Sequence, residues 1–226
     1  MHKGGQAQLA IWSDIEPEQE IDYLHWLTRE HVLERVGVDG FLSGRVFRSE
    51  VANKRRFFIT YELQEAGALA GSSYLARLNA PTPWSQRIMP MLQNFARGGG
   101  QVVARAGLGC GAVVVPLRLD LEVAGLLEPL SQQALVERVA ALDQVAQVWL
   151  MRVDAAATSV PTREKAMRRS GEGAFDGVLV IEALHEAAAR AAVDDLMNKA
   201  LASAAPTDRQ VFTACFQLDR RLAGLL

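Results

Sequence analysis

The strongest candidates for chemistry are four polar side chains on two neighbouring predicted strands. Residues 41–48 and 56–63 are rich in β-branched and aromatic residues and flank a short polar segment, which predicts an antiparallel hairpin. A turn between Arg48 and Arg55 puts three cross-strand pairs on one face: Phe41 with Glu62, Ser43 with Thr60, and Arg45 with Phe58. Arg45 is therefore a candidate for holding a carboxylate or enolate oxygen, and Ser43, Thr60 and Glu62 are candidate ligand contacts beside it.

The opposite face of this hairpin is predicted to be apolar and to lie beneath helices; it carries Leu42, Gly44, Val46, Phe57, Ile59 and Tyr61. The polar face then looks into the space between two sheets, where polar groups need hydrogen-bond partners. A ligand would supply them, and so would an internal network between Arg45 and Glu62. The matching positions later in the chain hold Val178 and Val180, so any ligand site is expected in the first half.

A histidine on the first predicted helix is the candidate for proton transfer. His25 and His31 lie six residues apart and point about 120° away from each other on a straight helix, so they cannot share a metal ion. Both flank the predicted packed stripe, which consists of Ile21, Leu24, Thr28, Val32 and Val36. His31 is the candidate catalytic residue, and an ordinary half-buried histidine is the alternative.

Trp84 and Arg87 complete the set of candidates. Thr82 can cap a short helix that has Pro83 at its first position, and this helix carries Trp84 and Arg87 one turn apart. Such a pair could bind an anionic, partly apolar compound at the mouth of a barrel. The alternative is that Trp84 is a plain packing residue.

These residues belong to a chain in which the order β-α-β-β-α-β occurs twice. The predicted strands are residues 8–13, 41–48, 56–63, 101–105, 112–119, 144–153, 177–182 and 210–218, and the main helices are 17–36, 67–78, 128–142 and 186–202. A local echo supports the repeat, because Val32-Leu33-Glu34-Arg35-Val36 matches Leu135-Val136-Glu137-Arg138-Val139. The predicted halves are residues 1–107 and 108–226. Each sheet has helices on one face only, so the second half is expected to cover the first.

The first half resembles the dimeric α/β-barrel superfamily of ferredoxin-like domains, which includes EthD-like proteins, small cofactor-free monooxygenases and muconolactone isomerases. The resemblance rests on Trp26, Glu30-His31-Val32, Gly40-Phe41-Leu42, Arg45 and Pro81-Thr82-Pro83-Trp84 with Arg87. It implies an α+β fold in which two ferredoxin-like repeats pack sheet to sheet as one α/β barrel. It also implies pairing through barrel edges, so that a homo-oligomer is expected.

Composition narrows the classes of partner. The 226 residues carry 24 Lys and Arg against 26 Asp and Glu, so there is no strong field to attract nucleic acid. The start lacks the apolar region of a signal peptide, and no run approaches the roughly 18 apolar residues of a spanning helix, so a cytoplasmic protein with no membrane partner is expected. Cys110 and Cys215 are predicted to be free thiols, and neither a metal site nor a cofactor is expected.

Three further features of the sequence bear on the kind of chemistry. Gly98-Gly99-Gly100 and the glycines of residues 107–111 lead into a β run rather than a helix, which excludes a phosphate-binding loop and favours a flexible connection. The hydrolase Gly-x-Ser-x-Gly, zinc His-Glu-x-x-His and Walker lysine motifs do not occur in the sequence. The charged residues from Arg163 to Glu172 are predicted to form a solvated loop.

The sequence therefore leads to two hypotheses of different class. In the first, a small organic molecule binds in the barrel cavity and is converted by cofactor-free acid/base chemistry, with His31 transferring a proton and Arg45 holding an oxygen. In the second, the barrel is filled by side chains and the protein has a non-catalytic role in binding or assembly. A pocket above about 300 Å³ that contains the candidate polar groups would favour the first hypothesis.

Overall fold

The computed structural model describes residues 6–51, 53–168, 175–201, 206 and 208–223. The strands are β1 (Ala7–Ile15), β2 (Phe41–Val51), β3 (Lys54–Leu63), β4 (Gln93–Gly107), β5 (Val113–Leu119), β6 (Val145–Val153), β7 (Gly177–Ala183) and β8 (Phe212–Asp219). The α-helices are α1 (Glu20–Trp26), α2 (Val32–Val36), α3 (Ser72–Asn79), α4 (Pro83–Ile88), α5 (Pro129–Ala140), α6 (Ala155–Ser159), α7 (Arg163–Met167), α8 (Glu186–Lys199) and α9 (Arg220–Ala223). Short 3₁₀ turns occur at Pro17–Gln19, Ala66–Ala70 and Met89–Met91.

The strands follow the order β1-β3-β2-β8-β5-β7-β6-β4 and form a closed barrel. The first four strands along the chain lie in the order β4-β1-β3-β2, and the last four lie in the equivalent order β8-β5-β7-β6. Each half thus has the strand order of a ferredoxin-like sheet, and the predicted α+β barrel fold is confirmed. That the two halves arose by duplication stays a prediction.

The described residues form two compact units, each defined by contacts among its own residues. The first is made by the described parts of Met1–Gly100, Asp154–Ala174 and Cys215–Leu226, and the second by those of Gln101–Val153 and Phe175–Ala214. Each unit has its own cluster of buried apolar side chains. The first unit therefore includes a segment from the connection between β6 and β7. The predicted boundary after Gly107 stays a prediction about the repeats.

The hairpin of β2 and β3 keeps most of its predicted faces but not its register. Arg45 pairs with Thr60 and Ser43 with Glu62, two residues away from the predicted pairs. The strands extend to Val51 and Lys54, so the turn is shorter than expected. A shift of two residues preserves the faces, because side chains alternate with a period of two.

Phe41 is the exception, and its predicted place was wrong. A bulge between Phe41 and Ser43 interrupts the register, so that Phe41 pairs with Leu63. Its ring lies 5.8 Å from that of Tyr61 and 5.0 Å from that of Tyr74, within the helix-covered apolar cluster.

The first helix contains a π turn at Leu27–His31, in which the amide of Val32 donates to the carbonyl of Leu27. Such an i→i+5 turn changes the phase of the helix. The buried residues here are Tyr23, Trp26, Leu27, His31, Val32, Arg35 and Val36, whereas Ile21 is 71 % exposed. The predicted stripe was therefore wrong at Ile21, because large aromatic side chains at other positions occupy the buried face.

Gly98-Gly99-Gly100 is part of β4 and buried, so its prediction as a flexible connection was wrong. A Cβ at Gly99 would clash with Cδ1 of Leu69, which shows how closely Leu69 approaches this strand.

Among the described helices, none is both long enough and apolar enough to cross a membrane.

We predict that a chain ending at Gly107 will not give a folded monomer. This fragment lacks the described parts of residues 154–174 and 215–226, which pack Ala157, Met167, Phe216 and Leu218 against the apolar cluster of the first unit. Size-exclusion chromatography and sedimentation should show aggregated or self-associated material, next to a cooperatively melting full-length chain. A monomeric fragment with a cooperative thermal transition would contradict the prediction.

Candidate functional site

A cavity of about 40 Å³ lies in the first unit, between the helices and the face of the sheet that carries Ile59 and Tyr61. This volume holds a few waters or a group of a few atoms, and it is far below the several hundred Å³ of a typical ligand pocket. Its polar lining consists of His31, Arg35, Tyr61, Tyr74, Arg97, Thr162, Glu164, Lys165 and Arg168. The remaining lining residues are aromatic or aliphatic.

His31 ends the π turn and is 7 % exposed. Its ring stacks on that of Trp26, with the centroids 4.1 Å apart. The two residues are five positions apart, a spacing that the i→i+5 turn brings onto nearly one face. Trp26 is held in turn, because its Nε1 donates to Oγ of Ser85 over 3.1 Å. The local helix geometry thus fixes the imidazole in the cavity wall.

Arg35 and Glu164 form a buried ion pair beside the cavity. The two side chains are 2 % and 4 % exposed, and Nη2 of Arg35 donates to Oε1 of Glu164. Glu164 belongs to α7, in a region that had been predicted to be a solvated loop; for Glu164 that prediction was wrong. Two buried charges require each other, because removing either would leave an uncompensated ion. The pair therefore attaches α7 to the first helix.

Several buried polar atoms of the lining have no hydrogen-bond partner within the described part of the chain. Among them are Nδ1 of His31, Nη1 of Arg35 and the hydroxyl of Tyr61. Nη1 of Arg35 lies 3.8 Å from Oε2 of Glu34, an ion-pair distance but not a hydrogen bond. Buried polar atoms without partners are rare in folded proteins, and each costs about 1–3 kcal/mol. Water or a ligand in the cavity can supply the missing hydrogen bonds.

The rest of the lining adds positive charge and aromatic surface. Nη2 of Arg97 donates to the hydroxyl of Tyr74 over 3.1 Å, and the guanidinium of Arg168 lies 4.1 Å from the ring centroid of Phe95. Four cationic side chains line the cavity against one carboxylate; they are Arg35, Arg97, Lys165 and Arg168. The cavity therefore suits an anion.

The protonation states follow from burial. Desolvation, reinforced by the charges of Arg35 and Arg168, holds the pKa of His31 well below its usual range, so the imidazole is neutral at pH 7. Desolvation raises the pKa of Tyr61, which keeps its hydroxyl protonated. Burial alone would lower the pKa of Arg35, but the carboxylate of Glu164 together with Tyr74 and Tyr61 outweighs it, so that the pKa is raised.

The residues predicted from the hairpin lie on the other face of the sheet. Ser43, Arg45, Thr60 and Glu62 alternate with Gly44, Tyr61 and Ile59 along β2 and β3, and they are not among the lining residues of this cavity. The guanidinium of Arg45 lies 4.7 Å from the ring centroid of Phe47. His31 and Arg45 are thus on opposite sides of the sheet. The structure does not bring both side chains to one bound ligand.

Trp84 and Arg87 lie together but not in this cavity. Nε1 of Trp84 donates to Oδ1 of Asp22 over 3.0 Å, and Nη2 of Arg87 lies 3.1 Å from the same oxygen. Thr82 caps the helix as predicted, since its hydroxyl accepts from the amide of Ser85. Both polar groups therefore have a partner on α1.

His31, predicted from the sequence, lines the cavity, whereas the polar groups around it were not predicted. Arg35 lies one turn after His31 and beside Val36 of the predicted stripe, so its position on a buried face could have indicated it. Tyr61 was assigned to the apolar face, where its hydroxyl was an available signal. Glu164 could not have been linked to Arg35 from the sequence, because the two residues are 129 positions apart.

Among the described residues, no cluster of His, Cys, Asp and Glu could hold a metal ion.

No known family profile matches this chain, and no curated protein matches it. Solved structures do resemble it at low sequence identity. An anthrone oxidase-like protein aligns with a TM-score of 0.59 and 10 % identity, covering 94 % of this chain and 93 % of its own. A candidate monooxygenase of Fusobacterium nucleatum subsp. nucleatum gives 0.56 and 12 %, with 95 % of each chain covered. A variant of the chlorite dismutase of Candidatus Nitrospira defluvii gives 0.52 and 10 %, covering 95 % and 93 %. These similarities support the α+β barrel fold.

Proposed function

We propose that this protein binds a small organic anion in the cavity of the first unit and that His31 exchanges a proton with it. The observation that carries the proposal is that His31, Arg35 and Tyr61, which line one cavity rich in cationic side chains, each have a buried polar atom without a hydrogen-bond partner in the described part of the chain. A carboxylate or enolate oxygen can accept from Arg35 and from the hydroxyl of Tyr61.

The neutral state of His31 suits proton transfer. In the tautomer with its proton on Nε2, Nδ1 has a lone pair that no hydrogen-bond donor of the described chain uses. A proton leaving the ligand would move to Nδ1, and the negative charge left on a ligand oxygen would be held by Arg35 and Tyr61. The proton would return from Nδ1 to the ligand at its new position. This chemistry uses only side chains.

The names of the structural neighbours support a small-molecule role, since they include an anthrone oxidase-like protein and a monooxygenase. This support is an analogy of fold and does not identify a reaction. Location in the cytoplasm and self-association through barrel edges remain predictions from the sequence.

The non-catalytic alternative keeps one specific observation in its favour. The face of the sheet that carries Arg45 also carries packed aromatic rings, with Trp12 4.9 Å and Phe47 5.8 Å from Phe58. Arg45, Ser43, Thr60 and Glu62 therefore lie beside filled space, as a side-chain-filled barrel would require. A ligand bound on the Arg45 face is a separate candidate, and Arg45→Met tests it.

We predict opposite effects of Tyr61→Phe on stability and on binding. Removing a buried hydroxyl without a hydrogen-bond partner should leave the free energy of unfolding of the free protein unchanged or raise it by up to about 1 kcal/mol. Its melting temperature should then be unchanged or higher. The same change should weaken the binding of acetate and butyrate by about tenfold, because one charge-assisted hydrogen bond is lost. Thermal shift and calorimetry at constant ionic strength measure both effects.

Arg45→Met is the matched control for Tyr61→Phe, because it changes the other face of the same hairpin. It should leave carboxylate binding unchanged, and neutral acetamide and butyramide should bind neither protein. If Arg45→Met abolishes binding while Tyr61→Phe does not, the ligand lies on the Arg45 face and the proposal is wrong.

We predict that His31 makes the protein less stable in mild acid. The folded-state pKa of His31 is lowered, so the unfolded chain takes up a proton below about pH 6.5 that the folded chain does not. Stability should then fall with decreasing pH, by about 1.4 kcal/mol per pH unit from this group. His31→Gln should remove this part of the slope in urea unfolding measured between pH 7 and pH 5.

His25→Gln provides the comparison, since His25 lies on the same helix and its ring forms a hydrogen bond with Arg29 at the surface. It should retain the slope of the unchanged protein. Equal slopes for His31→Gln and His25→Gln would show that His31 does not stay neutral in the folded state.

A further inference from the structure

The cavity of the first unit is too small for an organic ligand in the described state, so part of its wall must move. The movable candidate is the β6–β7 segment, residues 154–168, which contains α6 and α7. It contributes a set of lining residues: Ala157, Val160, Thr162, Glu164, Lys165 and Arg168. The other lining residues come from strands, from the first helix, from α3 and from the turns around Leu69 and Met89, and most of them belong to the packed core.

The β6–β7 segment is held by a few specific contacts. Its two helices have five residues each, too few to be stable without tertiary contacts. The amide of Asp154 donates to the carbonyl of Gly99, and the amide of Arg163 donates to Oδ1 of Asn79. The buried pair of Glu164 with Arg35 adds an ion pair to these contacts.

The pairing of Arg35 leaves part of its capacity unused. Glu164 accepts from Nη2, while Nη1 has no hydrogen-bond partner in the described chain. A guanidinium can bind one carboxylate through two parallel hydrogen bonds, which is a stronger arrangement than a single contact. A ligand carboxylate in the place of Glu164 could engage both nitrogens, and Tyr61 and His31 lie on the same cavity.

The remaining lining indicates what the rest of the ligand would be. Most of the lining side chains are apolar or aromatic, among them Leu9, Ile11, Trp26, Leu27, Ile59, Leu69, Leu75, Leu78, Met89, Leu92 and Phe95. An apolar body would replace water against this surface and would gain from each buried methylene group.

We infer that the ligand is an organic anion with an apolar body, and that its carboxylate binds Arg35 by displacing the carboxylate of Glu164. The displaced Glu164 moves outward with the β6–β7 segment and becomes hydrated, while the apolar body occupies the space that opens. This inference rests on the proposed function and adds the ligand class and the exchange at Arg35. It makes Glu164 a competitor of the ligand.

The test compares the binding of acetate, butyrate, hexanoate and octanoate to the full-length protein and to two variants. Affinity should rise with chain length, by about fourfold for each methylene that is buried. Glu164→Gln keeps the shape of the side chain but removes the competing charge, so it should bind octanoate at least about tenfold more tightly. Hydrogen exchange of residues 154–168 should also become faster in this variant.

Glu34→Gln is the control, because Glu34 lies 3.8 Å from Arg35 but is not a lining residue of the cavity. It removes a neighbouring negative charge without removing a competitor, and should tighten octanoate binding much less than Glu164→Gln does. Comparable tightening by both variants would show a general charge effect and would overturn the exchange.

If Glu164→Gln lowers stability too far to measure, the double variant Arg35→Met with Glu164→Met replaces the pair by apolar groups of similar size. It should fold and lose carboxylate binding. Retained binding in this double variant would overturn the exchange. If the unchanged protein binds the carboxylates through Tyr61 but Glu164→Gln does not tighten them, the exchange alone is wrong. If no carboxylate binds any of the proteins, the proposed function itself is wrong.

Discussion

The buried ion pair of Arg35 and Glu164 is the contact on which the architecture of the candidate site depends. Moving two charges out of water is costly, and their attraction offsets this cost only when both are present with good geometry. Because Glu164 comes from the β6–β7 segment, the pair brings a part of the chain that follows β6 into the first unit. It also closes one wall of the cavity. The charge of Arg35 further disfavours protonation of His31.

The π turn is the second local constraint, since it decides which side chains of the first helix enter the core. By lengthening one turn, it allows Trp26 and His31 to stack and Val32 and Arg35 to remain buried after them. Residues 135–139 in the second half match residues 32–36 in sequence, and they allow the burial of the two arginines to be compared. The matching arginine, Arg138, is 37 % exposed and lies 3.8 Å from Asp195. Similar sequence at the two positions thus gives a buried cation in one unit and a partly exposed cation in the other.

Much of the fold could be predicted because its signals are local. The order of the strands and main helices and the Thr82 cap follow from alternation, turn residues and capping chemistry within a few positions, whereas some strand bounds do not, as in β4, which was predicted over 101–105 only. The bulge after Phe41, the π turn and the burial of Gly99 could not be predicted, since each depends on packing against residues distant in sequence. His31 was identified from its position and resemblance. Its neighbours Arg35 and Tyr61 were not, because an arginine and a tyrosine on an otherwise apolar face give no distinct local pattern.

The most direct test of the central claim is nuclear magnetic resonance of the histidine ring nitrogens in the ¹⁵N-labelled protein, recorded at pH 7 with increasing butyrate at constant ionic strength. We predict a neutral His31 ring in the free protein. Its nitrogen signals should shift and saturate with butyrate, while those of His25 and His185 should not respond. A charged His31 ring before addition, or a His31 signal that stays fixed throughout the titration, would contradict an anion site at His31, Arg35 and Tyr61.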